Sequence, residues 1–329
     1  MRSVRGIGER MRIGLIDVDG HNFPNLPLMK ISSYHKAKGD SVEWYQPLFH
    51  SMGEPLDIVY MSKVFSFTED YPYFINAKEV KKGGSGYCIS LVDGKEVFDK
   101  SKDIDLPYEV EHIYPDYSMY GIEDTAYGFL TRGCPRGCDF CHVEAKEGLK
   151  SYKVADLSEF WNGQKNIVLC DPNILACKEW KPLLQQLIDS NAWVDINQGL
   201  DIRLMTEEKA EMIKKLKVKE LHFAWDRYED KDIVVPKFKM FKELTNIDIR
   251  KLIVFVLCGD REKRVLETDL ERIYTLRDMG FWAYVMLYDK ENIPKGHELR
   301  KLQRWVNNRF IFARCNTFEE YLRGNKDEQ

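Results

Sequence analysis

The chain has 329 residues, 44% of them hydrophobic and 31% charged, the composition of a globular protein of about two domains with room for a substantial core. Its formal charge of -4 is close to neutral, and Lys and Arg are interleaved with Asp and Glu, so no basic face points to a nucleic-acid partner. No apolar run is long enough to cross a bilayer, the N-terminus lacks the apolar core of a secretory signal, and eight cysteines without a short, loop-rich scaffold argue for reduced thiols; a cytoplasmic protein with no membrane partner is expected.

After a tail over residues 1–10, residues 11–102 read as a small Rossmann-like α/β domain. Arg12–Asp17 predicts a strand, 26–38 a helix ended by Gly39, Ser41–Trp44 a second strand and Asp57–Lys63 a third; Gly83-Gly84-Ser85-Gly86 predicts a turn after a fourth. Residues 103–122, with Pro107, Pro115 and several tyrosines, form a connector whose rings pack between domains or line a substrate entrance.

From 123 to 329 short apolar strands alternate with amphipathic helices, the pattern of a parallel sheet built from six β/α units. The strands are expected at 127–131, 166–170, 193–197, 220–225, 252–257 and 282–288. Helices are expected at 178–190, where Trp180, Leu183, Leu184, Leu187 and Ile188 share a face, from the N-cap Thr206, and at 264–279 with Leu266, Leu270, Ile273 and Leu276. Residues 296–329 read as one helix, a short strand at Arg309–Ala313 and a polar tail.

After the first of these strands comes Thr131-Arg-Gly-Cys-Pro-Arg-Gly-Cys-Asp-Phe-Cys-His142, which supplies three thiols, Cys134, Cys138 and Cys141, from one loop. Gly133, Pro135 and Gly137 oppose helix and strand and let the backbone wrap a compact inorganic core. Three soft ligands suit an iron-sulfur cluster with one iron left open; structural zinc would need a fourth ligand, from His142 or from a distant residue. In parallel sheets of this kind chemistry gathers at the C-terminal strand ends. Asp171 and Asn173 follow the second strand; Asn197, Gln198, Asp201 and Arg203 the third; Asp226 and Arg227 the fourth; Gly259 and Asp260 the fifth.

The cysteine run, with Phe140 just before its last cysteine, resembles the signature of the radical S-adenosylmethionine superfamily, and six β/α units after a cluster loop match the partial (β/α)6 TIM-like barrel which that family uses. The resemblance implies that Cys134, Cys138 and Cys141 hold a 4Fe-4S cluster and that S-adenosylmethionine chelates the fourth iron through its amino and carboxylate groups. Backbone near Phe140 would pack against the adenine, and Gln198, Arg203 and Asp226 would meet the ribose and the methionine carboxylate. One electron from the cluster, supplied by a donor such as a flavodoxin or ferredoxin, would cleave the sulfonium to methionine and a 5'-deoxyadenosyl radical that takes hydrogen from an unidentified substrate. Val256–Glu262 resembles the family's strand-five region near the adenine, whereas Asp171-Pro172-Asn173 stands where the family carries Gly-Gly-Glu.

The N-terminal module is similar to a shortened cobalamin-binding-like domain, because Asp19-Gly-His21-Asn-Phe-Pro24 follows the Asp-x-His-x-x-Gly cobalt loop except at Pro24. His21, held by Asp19, would be the lower cobalt ligand. The shortness of the module weighs against cobalamin and leaves His21 as a structural or substrate-facing residue. Only Cys88 precedes the cysteine run, too few for the second cluster of a methylthiotransferase. The leading reading is a radical S-adenosylmethionine enzyme; the alternatives are a cobalamin-dependent radical methyltransferase and a non-enzymatic iron-sulfur or zinc binding module.

Overall fold

Strand β1 (Arg12–Asp17) buries Ile13, Gly14, Leu15 and Ile16 in succession, which is what a strand covered on both faces of a parallel sheet requires. It belongs to a computed structural model that describes residues 10–92, 95–259 and 263–324. Residues 1–9 of the tail expected over 1–10, the segment Asp260–Glu262 and the end of the polar tail from 325 lie outside the described residues. The structure is mixed α/β with parallel sheets, in two compact units. One takes in the chain through Phe129 with Gly133–Lys150 and Val154–Ile167; the other takes in Leu130–Arg132, Ser151–Lys153 and the chain from Val168 onward.

In the first unit β1 is followed by α1 (Leu26–Ala37), β2 (Ser41–Trp44), α2 (Pro47–His50), β3 (Leu56–Ser62) and β4 (Ala77–Gly83), and the strands pair in parallel in the order β2-β1-β3-β4. These are the expected strands, to within a residue where both ends were given. Asn25 explains where α1 begins: its Oδ1 accepts from the Leu28 N–H at 3.2 Å, and its Nδ2 donates to Ser62 Oγ at 2.8 Å, tying the helix start to the end of β3. Gly14 lets β3 approach, since a Cβ there would sit 2.7 Å from Leu56 Cδ1. The unit continues with α3 (Ser85–Cys88), the hairpin β5 (Ile89–Val92) and β6 (Lys95–Phe98), α4 (Tyr108–Glu111), β7 (Thr125–Gly128) and α5 (Val143–Glu147).

In the second unit β8 (Thr131–Arg132) pairs antiparallel with β9 (Tyr152–Lys153). Beyond β10 (Asn166–Leu169), α6 (Trp180–Ser190), β11 (Trp193–Leu200), α7 (Glu207–Lys214), β12 (Lys217–Ala224), α8 (Lys231–Thr245), β13 (Leu252–Cys258), α9 (Glu267–Asp278) and β14 (Trp282–Leu287) alternate, and within this unit the strands follow the order β14-β13-β12-β11-β10. Strands β11 to β14 pair in parallel. Phe223 on β12 meets Phe238 and Phe241 of α8 and Phe281 edge-on at 5.2–6.1 Å, an aromatic cluster that seats α8 on the sheet. No helix among the described residues is long and apolar enough to cross a membrane.

The structure corrects two expectations. The first of the six expected strands does not run into the cysteine loop: β7 ends at Gly128, and the loop is entered through the separate β8. Residues 309–313 are helical, within α11 (Arg309–Arg314), which stands between α10 (Glu298–Asn307) and α12 (Phe318–Gly324). Asn308 Oδ1 caps α11 by accepting from Phe310 and Ile311 N–H, both at 3.1 Å, and the alternation that suggests a strand fails because Phe310 is 89% exposed while Phe312 packs on Trp305.

Candidate functional site

The cysteine loop, residues 133–150, is shaped by glycine. Gly133 is buried with φ +76°, and a Cβ there would stand 2.1 Å from the Lys150 carbonyl; Gly137 has φ +55°. Within the loop Gly133 N–H donates to Glu147 Oε2 at 2.9 Å, Cys134 N–H to the Gly148 carbonyl at 3.2 Å, and Cys141 N–H to the Cys138 carbonyl at 3.0 Å. Phe140 lies half-buried in that last turn. His142 Nε2 is 3.1 Å from Glu96 Oε2 on β6, so this nitrogen is engaged away from the loop, which counts against His142 completing a zinc site through it.

The thiols divide into two kinds. Cys134 and Cys138 are half-buried and Cys141 is exposed, whereas Cys88, Cys170, Cys177 and Cys258 are buried; Cys315, outside the loop, is half-buried. Burial pushes Cys170 up to about 12 and raises Cys88, Cys177 and Cys258, so these four stay protonated at neutral pH. Three of the four accessible thiols lie in this one loop. Three cysteine sulfurs from one loop, with Asp139 and His142 beside them, would fit an iron-sulfur cluster with one open iron.

In the second unit the neck of this loop is fixed by Asp171, which follows β10 and is fully buried. Its Oδ1 accepts from Leu130 N–H at 2.9 Å, and its Oδ2 accepts from Thr131 N–H at 2.7 Å and Thr131 Oγ1 at 2.6 Å. Ser151 Oγ donates to the Asn173 carbonyl at 3.1 Å. Burial pushes the Asp171 carboxyl up to about 6 despite these bonds. Because the folded value lies above the unfolded one, 3.8, the native state holds the extra proton between the two. The contribution is therefore fully present below pH 3.8 and lost as pH rises through about 6, about 3 kcal/mol in all. The stability advantage of wild type over Asp171→Asn should accordingly shrink between pH 4 and pH 6.5; urea midpoints that shift in parallel would contradict the assignment.

The other predicted contacts lie at the ends of β11 and β12. Gln198 is exposed on an irregular stretch of β11, where the register with β12 slips between Ile196 and Leu200 and Gly199 has φ +122°. Arg203 is brought together with two carboxylates, its Nε 2.7 Å from Asp201 Oδ1 and its Nη1 on Asp230 Oδ2. Burial raises the Asp226 carboxyl, against the pull of Arg272, a Leu257 N–H and Arg203. Asp201, Arg203 and Asp226 thus share one electrostatic neighbourhood, while Gln198 stands apart in solvent.

Sequence reasoning missed Arg272 on α9, only 3% exposed. Its Nη1 donates to the carbonyls of Trp225 (2.8 Å) and Asp226 (2.6 Å), and its Nη2 to the Leu257 carbonyl (2.9 Å) and Asp269 Oδ1 (2.6 Å). One guanidinium therefore ties the ends of β12 and β13. In the sequence Asp269 and Arg272 look like an ordinary solvent-exposed pair one helical turn apart.

At the end of β1 the pairing expected for cobalt ligation is not formed. Asp19 accepts from Val64 N–H (2.5 Å), Phe65 N–H (3.3 Å) and Thr68 Oγ1 (2.7 Å), holding the loop after β3. The His21 ring packs on Trp44 at 4.2 Å between centroids and on Tyr120 at 5.4 Å, and the carboxylate near it is Asp17. An exposed histidine stacked on an indole, and not held by Asp19, does not fit the lower-ligand role as expected.

No protein-family model matches the chain, and no curated protein matches it by sequence. Among solved structures it is similar to TsrM from Kitasatospora setae, a radical S-adenosylmethionine methyltransferase solved with cobalamin and a [4Fe-4S] cluster bound. The TM-score is 0.53 at 10% identity, over 85% of this chain and 75% of that one. The likeness is one of fold, a mixed α/β architecture with parallel sheets.

Proposed function

We propose that the chain is a radical S-adenosylmethionine enzyme, with its six β/α units arranged as a partial barrel and its substrate unidentified. The observation that supports this reading is the grouping of thiols: three accessible cysteines lie in one glycine-shaped loop, while Cys88, Cys170, Cys177 and Cys258 are buried and held protonated and Cys315, half-buried near the C-terminus, stands alone in sequence. Cys134, Cys138 and Cys141 would hold a 4Fe-4S cluster, which when bound supplies the electron that cleaves S-adenosylmethionine. The backbone at Phe140 would lie against the adenine, Gln198 and Asp226 would bond the ribose hydroxyls, and Arg203 would meet the methionine carboxylate. Asp201 and Asp230 orient the Arg203 guanidinium for that contact.

The test is anaerobic reconstitution with iron and sulfide, reduction in the presence of S-adenosylmethionine, and chromatography for 5'-deoxyadenosine with metal analysis on the same sample. Product with iron and without zinc is the expected result; zinc with no product would move the chain to a structural metal module. Arg203→Ala is expected to weaken S-adenosylmethionine binding at least fivefold with iron content unchanged. Unchanged affinity would leave Arg203 only as the clamp on Asp201 and Asp230.

A second reading, a cobalamin-dependent methyltransferase, draws on the parallel N-terminal sheet and on the cobalamin held by TsrM. The engagement of Asp19 with Val64, Phe65 and Thr68 speaks against a His21-ligated cobalt. Cobalt in the same metal analysis would favour this reading; its loss in His21→Ala would make His21 the ligand, and its retention would place the ligand elsewhere.

A further inference from the structure

We propose that Asp171 is the positioning residue of the cysteine loop, the group that fixes its neck so that Cys134, Cys138 and Cys141 converge. The inference rests on the reading of these cysteines as cluster ligands and adds a residue that their motif does not contain.

Two short arms lead into and out of residues 133–150. They pair only as Thr131 with Lys153 and Arg132 with Tyr152, a ladder too short to hold a long loop by itself. Both arms are hooked to one turn at the end of β10. The ingoing arm gives Asp171 two backbone N–H groups and a hydroxyl, and the outgoing arm gives the Asn173 carbonyl the Ser151 hydroxyl. A carboxylate suits this place because it accepts on both oxygens and donates on neither. An amide in the same shape would turn an N–H toward one of the donors, and alanine would orphan all three in a buried site. Thr131 stands three residues before Cys134, so a neck that frays moves the first ligand directly.

The experiment compares wild type, Asp171→Asn and Thr131→Val, the last removing only the hydroxyl bond. In metal-free protein, tryptic cleavage after Arg136 and Lys146 reads the loop, and the urea midpoint reads the whole fold. Anaerobic iron and sulfide loading, with the electron paramagnetic resonance spectrum of the reduced protein, reads the cluster. In Asp171→Asn, loop cleavage is expected to rise at least tenfold beyond any global change, iron per chain to fall at least twofold and the spectrum to shift; Thr131→Val should be intermediate. Wild-type cleavage and iron content in Asp171→Asn, or faster cleavage spread evenly over the chain, would overturn the proposal. If Asp171→Asn does not fold, amide hydrogen exchange in the wild type decides: Leu130 and Thr131 should be protected, and exchange at the rate of free peptide would overturn the assignment. If wild type takes up no iron, the cluster reading fails by itself, while cleavage and amide protection still judge the neck.

Discussion

Alanine at Cys134, Cys138 or Cys141 is expected to abolish both the iron-sulfur spectrum and 5'-deoxyadenosine formation, each below detection. A cubane with three protein ligands has one open iron; removing a thiolate opens a second, and no other accessible soft donor lies in the loop to replace it. Cys170→Ala and Cys258→Ala are the informative controls. Both thiols are buried at the ends of β10 and β13 and kept protonated, so their loss should lower the urea midpoint slightly while cluster and product remain. Retention of spectrum and product in any one of the three loop variants would refute the ligand assignment. Loss in the controls at undiminished stability would show that the division of thiols into donors and core residues is mistaken.

Arg272→Ala should be the most destabilising single change in the second unit, by about 3–5 kcal/mol in urea unfolding, since it strands the buried Asp269 carboxylate and three strand-end carbonyls. Arg272→Lys should recover little, because an ammonium on a flexible stem cannot span carbonyls on two strands and a carboxylate together. The double variant Arg272→Met with Asp269→Leu should recover much of the loss, as replacing a buried pair by apolar groups often costs little. Asp226 gives a second readout, for its backbone carbonyl is one of the four acceptors: S-adenosylmethionine affinity should fall even where the double variant restores stability. A loss below about 1 kcal/mol for Arg272→Ala would mean that the strand ends hold themselves.

The elements most legible in the sequence are those whose burial is continuous or strictly periodic. The run Leu252–Leu257 is apolar without interruption because β13 sits inside the sheet, and Thr206 begins α7 by accepting from Lys209 N–H, as its residue type suggests. The short helix at Arg309–Arg314 was not legible, because six residues fit either period and only the contact of Phe312 with Trp305 chooses. Asp19 shows the same limit at a site: its place beside His21 suggests a partner there, while the folded chain brings it Val64, Phe65 and Thr68.

By itself the sequence determined the order of strands and helices and the one loop whose residues speak of metal chemistry. Periodicity and the spacing of Cys134, Cys138 and Cys141 are local properties, written within a few residues of where they act. Tertiary structure alone decided which cysteines are buried and which accessible, that Asp171 grips Thr131 and that Arg272 ties β12 to β13. These depend on burial and on partners 40 or more residues away in the case of Asp171 with Thr131 and Arg272 with Trp225. A buried charge is tolerated only where distant backbone groups happen to converge on it, and no local pattern records that convergence.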